Sequence, residues 1–348
     1  MDLEISFRLI EPQDGPALAA LMEVSPDAGR IGFSYDYQAD LIAAHRALGT
    51  DWQGAVTVHD GRVIGMMFGD VFPIQLNGEL RQAAYLSNLH VHPDFQRRGI
   101  AHGLADWGLA YVEQLLGPGA VLYGAVMAGN VSLALADKYH FVPTDMIEGG
   151  TVPMRNSPPA PRPDLVVRLA EEADLAAIAD GMNQFYRAHN LWNPVSPAQL
   201  EKWLSQKVAK VYPNQLYIVA RSKRIVGGLG LSDRTALVRM RIARAPAYVR
   251  MLGSLLGILP RSGILRALTV RRVWFGPSEL EAGRYLWQSL RYQLRDRGDC
   301  LGIAYDPRDQ LAELFQVPFW LPMFKARYLV RSSKAIDPQR FTYCIAGA

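Results

Sequence analysis

A proline-rich segment divides this chain of 348 residues into two stretches that begin with the same order of elements. Residues 156–164 (NSPPAPRPD) contain four prolines in nine positions, and proline fixes φ and removes the backbone N–H that a helix or a sheet needs. Before this segment a strand-like run at 5–10 leads into a helical run, and residues 165–169 begin the same order again after it. The pattern predicts a duplicated domain. The predicted boundaries are a first copy in 1–154, a linker in 155–164 and a second copy in 165–348.

Each stretch also carries a hairpin signal. Asp60-Gly61 lies between two runs rich in β-branched residues, and Ser222-Lys223 takes the same place in the second stretch. In the first stretch a long strand at 83–93 leads through a glycine turn into a helix at 100–116, and another strand follows at 121–127. A strand, a helix and a strand in this order imply a parallel pair. The sequence therefore predicts an α/β fold in which each copy is a twisted, mixed antiparallel and parallel sheet flanked by helices.

Composition excludes several classes of protein. A formal net charge of +4 with a pI near 9.0 permits anionic ligands and is too mild to argue for nucleic acid. The two cysteines, Cys300 and Cys344, have no metal-ligand spacing and do not suggest a disulfide framework. The N-terminal residues lack the pattern of a signal peptide, and no run of about 18 apolar residues occurs. We therefore expect a cytoplasmic protein without a transmembrane segment, as a monomer or a homodimer.

The turn before the helix, QRRGIA at 96–101, is the clearest ligand-binding signal. A glycine turn that opens a helix presents backbone N–H groups and the positive end of the helix dipole, and such a concavity binds phosphate oxygens. Gly99 permits close approach of a ligand, and Arg97 and Arg98 add charge at the rim. The three glycines of a dinucleotide fingerprint and the Gly-Lys-Ser/Thr of a nucleotide P-loop are both absent from this turn.

The stretch Val91-x-Pro93-x-x-Gln96-Arg97-Arg98-Gly99-Ile100-Ala101 resembles the acyl-CoA-binding motif of the GCN5-related N-acetyltransferases (GNAT), Arg/Gln-x-x-Gly-x-Gly/Ala after an apolar strand. The resemblance implies acetyl-CoA as co-substrate, with its pyrophosphate on the turn and its pantetheine arm along the preceding strand. It also implies that Asn130, opening a short helix from about Val131, lies near the pantetheine. The donor-binding residues that it implies are Leu89, Val91, Gln96, Arg97, Arg98, Gly99, Ile100, Ala101, His102 and Asn130.

Acetyl transfer to an amine needs a base, a polarised thioester carbonyl and a proton for the thiolate. In the GNAT family a backbone N–H at a bulge of the central strand polarises the carbonyl, which here falls near 89–91. Tyr85 stands where several relatives have a glutamate base. His90 is an alternative base, although an exposed strand histidine more often has no catalytic role. Strict alternation places it on the opposite face from Tyr85 and Ser87.

The resemblance leaves the proton donor open, and the sequence gives no metal site. Many GNAT relatives carry a tyrosine on the short helix, and alignment on its closing phenylalanine puts Ala136 there, with Tyr139 three residues later. Tyr139 is then either a packing residue or the acid, and a solvent proton can serve instead. His90-x-His92 has no third ligand in view, so we expect no metal.

The second stretch resembles the GNAT family only in its early elements. A phosphate turn should follow the strand at 273–275, but Glu279 and Glu281 lie there and would repel a pyrophosphate. A single arginine, Arg284, does not offset this repulsion. This predicts that only the first copy binds acyl-CoA. The overall plan is similar to that of the plant Hookless-like N-acetyltransferases. Trp192 and the FWLPMF cluster at 319–324 are predicted to pack in the core or between the copies.

Nine arginines and no acid lie between Arg234 and Arg272. They suit either a basic surface for an acidic partner or a solvated face of a packed segment. Few aromatic residues accompany them, which argues against nucleic acid.

The sequence thus predicts an acetyl-CoA-dependent N-acetyltransferase that acts on a small-molecule or protein amine by direct attack in a ternary complex. The alternatives are a non-catalytic acyl-CoA sensor or regulatory protein and an adaptor for anionic surfaces.

Overall fold

The structure is a computed structural model, and it describes residues 4–25, 32–46, 51–130, 133–255 and 262–345. The strands of the first part are β1 (Ile5–Leu9), β2 (Gly32–Tyr37), β3 (Asp51–His59), β4 (Arg62–Leu76), β5 (Glu79–Val91), β6 (Val121–Met127) and β7 (Val142–Pro153). Its helices are α1 (Gly15–Val24), α2 (Leu41–Arg46), α3 (Ile100–Leu116) and α4 (Leu133–Lys138). The helix expected from Val131 therefore begins at Leu133, and residues 131 and 132 lie outside the described residues.

Residues 154–164 form neither helix nor strand. The strands after them are β8 (Leu165–Leu169), β9 (His189–Asn190), β10 (Asn214–Arg221), β11 (Arg224–Ser232), β12 (Val238–Arg244), β13 (Ile264–Leu265), β14 (Ala267–Phe275), β15 (Cys300–Tyr305), β16 (Met323–Arg331) and β17 (Phe341–Thr342). The helices are α5 (Leu175–Phe185), α6 (Pro197–Leu204), α7 (Ala247–Leu255), α8 (Leu280–Gln293) and α9 (Gln310–Phe315).

Twelve strands form one continuous sheet in the order β1-β3-β4-β5-β6-β16-β7-β15-β14-β11-β10-β8. The predicted parallel pair is present as β5 and β6, and the second part has its own parallel pair in β14 and β15. The fold class predicted from the sequence, a mixed antiparallel and parallel sheet flanked by helices, is confirmed.

The two copies exchange one strand each at the centre of this sheet. Strand β16, from the C-terminal part, runs antiparallel to β6 and β7 and separates them. Strand β7, from the N-terminal part, pairs in turn with β15 of the second copy. Because the exchange ties the copies together by backbone hydrogen bonds, the chain has no free sheet edge at this junction. The exact domain boundary at the proline-rich segment stays a prediction.

Local chemistry explains the hairpins. Asp60 and Gly61 have φ of 48° and 72°, and Ser222 and Lys223 have φ of 48° and 68°. Two successive residues with positive φ match the right-handed twist of the flanking strands, so each tight turn fixes the register of its hairpin. Both predicted hairpins are therefore confirmed.

The same corner follows the first strand of each copy. Arg8 donates to both carboxylate oxygens of Asp14 at 2.6 and 2.8 Å, and Arg168 does the same to Asp174 at 2.5 and 2.9 Å. In both corners the aspartate also accepts a backbone N–H, at Glu11 and at Glu171. This repeated R-L-x-E-x-x-D corner sets the angle at which the first helix leaves the sheet.

The aromatic cluster at 319–324 does not pack as predicted. Trp192 is buried, but the Phe319 side chain is fully exposed and Trp320 is 46% exposed. Leu321 lies in the core and Met323 packs against it, as predicted. The prediction was wrong for Phe319 and Trp320, which lie in the loop between α9 and β16.

Candidate functional site

The parallel strands β5 and β6 pair over only part of their length, which leaves a cleft between their carboxyl ends. Their pairing ends at Tyr85 and Tyr123. Beyond this point β5 pairs with β4 alone and β6 pairs with β16 alone among the described residues. At the apex the backbones nearly touch, since a Cβ on Gly124 would lie 2.6 Å from the carbonyl oxygen of Leu86. Two facing backbone edges at the carboxyl ends of parallel strands form the kind of crevice in which α/β sheets bind ligands.

A bulge interrupts β5 on one side of the cleft. Met66 pairs with His90 and Phe68 pairs with Ser87, so Asn88 and Leu89 together lie opposite Met67. Asn88 has a φ of 51°, a left-handed conformation that asparagine tolerates better than most residues. Neither Asn88 nor Leu89 has a paired residue on β4. The predicted bulge is therefore present, beginning one residue earlier than expected.

The bulge corrects the predicted arrangement of side chains. Tyr85, Ser87 and His90 lie opposite Asp70, Phe68 and Met66, which alternate along β4 and share one face. The prediction that His90 lies on the opposite face from Tyr85 and Ser87 was wrong, because the extra residue of the bulge shifts the alternation by one position.

The turn that resembles a phosphate site has the expected backbone. Arg97 and Gly99 have φ of 60° and 79°, and the side chain of Gln96 holds the turn by donating to the carbonyl of Val91 at 3.1 Å. The first backbone bond of α3 runs from Gly103 N to Gly99 O at 3.0 Å. Among the described residues the N–H groups from Arg97 to His102 thus have no backbone acceptor, as expected at a helix N-terminus.

Space and charge at the turn suit an anion. A Cβ on Gly99 would meet no atom within 4 Å, so the concavity is open. Arg97 and Arg98 are exposed, and the Arg98 guanidinium lies 5.5 Å from the centre of the Phe95 ring. Ile100 is buried against Val91 and Ile64 and anchors the start of the helix to the sheet, whereas Ala101 is partly buried.

Tyr85 and His90 differ in what they can do as bases. Tyr85 is buried against the rings of Tyr123 and Tyr328, with centroids 5.2 and 6.5 Å away. Burial, together with the nearby Asp70 carboxylate, raises the pKa of Tyr85 above its usual value, so its phenol stays protonated. His90 is partly exposed, and its Nδ1 lies 3.4 Å from Oγ of Ser25.

Tyr139 and Asn130 lie on the other side of the cleft. Tyr139 follows α4 and its hydroxyl donates to the carbonyl oxygen of His102 at 3.2 Å. It thus joins α4 to the start of α3, and burial raises its pKa. The backbone of Asn130 closes the turn after β6, with its N–H on Met127 O at 3.0 Å and its carbonyl accepting from Leu133 N at 3.1 Å.

Sequence reasoning missed two members of the cleft wall. Asp70 is opposite Tyr85 and only 7% exposed, and the only sequence signal for it is a single acid inside the apolar run of β4. Tyr328 reaches the wall from the exchanged strand β16, about 240 residues away along the chain, and no local pattern could have indicated it.

The corresponding turn in the second copy is built differently. Ser278 has a φ of 62° just before α8, but Glu279 carries the position of the N-cap. Its carboxylate binds Arg221 at 3.0 Å and Arg224 at 3.5 Å. Glu281 pairs with Arg284, which also lies 3.9 Å from Glu313. Glu279 and Glu281, the two acids expected to repel a phosphate, therefore both lie at this turn in ion pairs with arginines.

The arginine-rich segment divides between surface and interior. Arg239 and Arg241 are exposed on β12 and share Asp36 of the first copy, at 3.9 and 3.3 Å. Arg271 lies inside, where burial lowers its pKa to about 10. Residues 256–261 of this segment lie outside the described residues.

The described part of the chain contains no group of three or more His, Cys, Asp or Glu side chains that could hold a metal ion. None of its helices has the length and apolar character needed to cross a membrane.

Comparison with known proteins places this geometry in context. Residues 21–141, which run from within α1 to just after α4 and include the turn at 96–101, match the model of the Acetyltransferase (GNAT) family. No curated protein matches the chain.

Several solved structures share the fold over nearly the whole chain. N-myristoyltransferase of Saccharomyces cerevisiae with bound myristoyl-CoA is 10% identical and has a TM-score of 0.68, covering 98% of this chain and 89% of its own. A GCN5-related N-acetyltransferase from Kribbella flavida is 13% identical with a TM-score of 0.56, covering 94% and 71%. A second one, from Anabaena variabilis, is 11% identical with a TM-score of 0.53, covering 94% and 73%. The chain therefore has the tandem GNAT fold, and its segment 21–141 carries the sequence pattern of the GNAT acetyltransferase family.

Proposed function

We propose that this protein is an acyl-CoA-dependent N-acyltransferase that moves an acetyl group from acetyl-CoA to a primary amine, on a small molecule or a protein. The proposal rests on one observation, that three backbone features lie at the same cleft. These are the separated edges of β5 and β6, the bulge at Asn88–Leu89, and the N–H groups at the start of α3. The match of residues 21–141 to the GNAT family supports the same assignment.

In the proposed complex the pyrophosphate of the donor sits on the turn, where the N–H groups from Arg97 to His102 and the helix dipole meet it. Arg97 and Arg98 add charge at the rim. The pantetheine arm then follows the edge of β5 past Val91 and Leu89, where its amides complete backbone hydrogen bonds that the sheet leaves open. Asn130 lies at the opposite edge of the cleft.

This path brings the thioester to the bulge. Its carbonyl oxygen accepts a hydrogen bond from the backbone N–H of Asn88 or Leu89, which stabilises the negative charge that develops as the amine attacks. One such donor is worth about a hundredfold or more in rate. The amine attacks directly, the tetrahedral intermediate collapses, and the C–S bond breaks to release CoA as the thiolate, which takes a proton from solvent.

His90 is the proposed base. It shares a face with Tyr85 and Ser87 and is partly exposed, whereas the protonated phenol of Tyr85 has no capacity to accept a proton at neutral pH. His90 accepts the proton from the ammonium form of the acceptor or from the attacking amine. Tyr139 is proposed to have a structural role, because its hydroxyl is engaged with His102 O.

The second copy is proposed to bind no acyl-CoA. Glu279, held by Arg221 and Arg224, occupies the position from which a helix N-terminus would receive a phosphate.

Calorimetric titration with acetyl-CoA tests the proposal first, followed by a screen of amines with detection of the acetylated product by mass spectrometry. The expected result is one donor site per chain and turnover of at least one class of amine. Absence of acetyl-CoA binding would overturn the assignment.

A second candidate function is a non-catalytic acyl-CoA sensor. The specific observation in its favour is Tyr85, a protonated side chain at the position where several relatives have a carboxylate base. Tight donor binding without turnover of any amine, and with His90→Gln indistinguishable from wild type, would favour the sensor.

A further inference from the structure

The second copy repeats the frame of the donor cleft in backbone geometry. Pairing of the parallel strands β14 and β15 ends at Thr269 and Gly302, as that of β5 and β6 ends at Tyr85 and Tyr123. Arg272, with a φ of 53°, then opens a bulge against β11, just as Asn88 follows Tyr85. A second cleft therefore exists, at the position related to the first by the duplication.

The C-terminal part of the described chain borders this second cleft. Thr342, Tyr343 and Cys344 line one cavity together with residues 270–273 of β14 and 303–305 of β15. The segment enters as strand β17, which pairs in parallel with β9, Phe341 opposite His189 and Thr342 opposite Asn190. Residues 341–345 are called the strap below.

Polar contacts hold the strap at its entry. The N–H of Thr342 donates to Oδ2 of the buried Asp306 at 2.9 Å, and the N–H of Tyr343 donates to Asn190 O at 2.9 Å. Arg308, which also binds Asp306, donates to the carbonyl oxygens of Pro338 and Arg340 at 2.7 and 3.1 Å. Backbone groups of the strap, and of the residues just before it, are thus hydrogen-bonded to residues of the second copy.

Aromatic packing holds the strap inside. The Tyr343 ring lies edge-on to Tyr186 and Trp192, with centroids 4.9 and 4.7 Å away. The Phe341 ring lies 5.3 Å from that of His189, whose Nε2 is 2.8 Å from the buried Asp309. Phe341 and Tyr343 are half-buried, and aromatic contacts of this kind stabilise packing beyond the area that they bury.

The strap continues from the second cleft to the first. The N–H of Ile345 donates to the hydroxyl of Tyr328 at 2.9 Å. Tyr328 in turn packs on Tyr85 and Tyr123, the two residues at which the donor cleft opens. The strap is therefore anchored in the second cleft and also contacts the group of Tyr85, Tyr123 and Tyr328 at the first cleft. These three tyrosines are called the tyrosine wall.

We propose that the strap is an internal ligand of the second cleft, which closes that cleft to outside ligands and holds the tyrosine wall beside the acceptor. The role in holding the tyrosine wall rests on the proposed function, because an amine acceptor would approach the cleft from the side of this wall. The donor turn at Gly99 lies at the far end of the first cleft and is not touched by the strap.

Thiol labelling with Ellman's reagent and peptide mapping by mass spectrometry tests the first role in the full chain. Cys300 is buried, whereas Cys344 is partly exposed and its Sγ donates to Thr342 O at 3.3 Å. Burial raises the pKa of both thiols, that of Cys300 to about 12, so both should react more slowly in the native protein than in the unfolded chain. Tyr343→Ala and, more gently, Asp306→Asn should release the strap and speed labelling of Cys344 about tenfold, with Cys300 unchanged. The matched control is Phe319→Ala, an aromatic truncation at a fully exposed site, which should label like wild type.

Labelling of wild-type Cys344 at the rate of an unfolded thiol, or no acceleration in either variant, would overturn the proposal that the strap is bound in the second cleft.

Steady-state kinetics tests the second role. Both variants should raise the KM of the amine about fivefold while the KM of acetyl-CoA stays within about twofold of wild type. A rise in the KM of acetyl-CoA, or an unchanged KM of the amine, contradicts a role in holding the acceptor wall. If the wild type binds no acetyl-CoA, the proposed function fails, and the labelling result still decides whether the strap occupies the second cleft.

Discussion

His90 and Tyr85 lie on the same face of the central sheet, because the bulge at Asn88 and Leu89 shifts the alternation of side chains between them. Ser87 lies between them on this face, opposite Phe68. They differ in environment, since Tyr85 is buried and His90 is partly exposed.

This relationship predicts opposite effects of two conservative substitutions. His90→Gln should lower kcat about a hundredfold because it removes the proposed base, while Tyr85→Phe should keep kcat within about threefold because the phenol stays protonated. A histidine base has to be neutral, so wild-type kcat/KM should fall as the pH is lowered, and this acid limb should disappear in His90→Gln. Equal activity of His90→Gln and wild type across the profile would rule out His90 as the base.

The phosphate turn predicts a loss of donor binding in Gly99→Glu. A carboxylate at this open position would repel the pyrophosphate and block the concavity, and we expect the affinity for acetyl-CoA in calorimetry to fall by about a hundredfold or more. Gly117→Glu is the matched control, since Gly117 ends the same helix with a φ of 82° and also has no atom within 4 Å of its Cβ position. Equal binding by the two variants would place the donor elsewhere.

The apex of the cleft predicts a backbone clash at Gly124. A Cβ there would lie 2.6 Å from Leu86 O, an atom of the neighbouring strand that cannot rotate away. Gly124→Ala should lower the free energy of unfolding by about 1–3 kcal/mol in urea titrations and weaken donor binding. The control is Gly302→Ala on β15, where the nearest atom, Leu268 O, would be 3.8 Å from the new Cβ. A neutral Gly124→Ala would show that the strands separate freely at the apex.

His45 predicts a pH dependence of stability. Burial, with smaller contributions from Arg234 and Arg271, lowers its pKa from 6.5 to about 3. Between these values the unfolded chain binds a proton that the folded chain does not, so stability is full above pH 6.5 and falls with acidification. The slope from this group is about 1.4 kcal/mol per pH unit. Urea titrations from pH 7 to 4 should show His45→Gln losing less stability than wild type over this range; parallel curves would contradict a neutral buried His45.

Local sequence determined the elements whose signals lie within a few residues. Asp60-Gly61 and Ser222-Lys223 specify their turns by chain conformation alone, and the apolar spacing from Ile100 to Leu116 specifies α3. The phosphate turn is equally local, because it needs only a strand, residues that accept positive φ and a helix start. The backbone of the turn to which donor binding is assigned was therefore predictable from the sequence.

Tertiary structure alone decided the features that join distant segments. The exchange of β7 and β16, the approach of Tyr328 to Tyr85, and the entry of the strap between β14 and β15 depend on pairings between residues far apart in the chain. The bulge at Asn88 belongs with them, since it exists only relative to the register of β4. Periodicity reports which residues face a core, but the partner strand decides where that periodicity is broken, and here the break placed His90 on the same face as Tyr85.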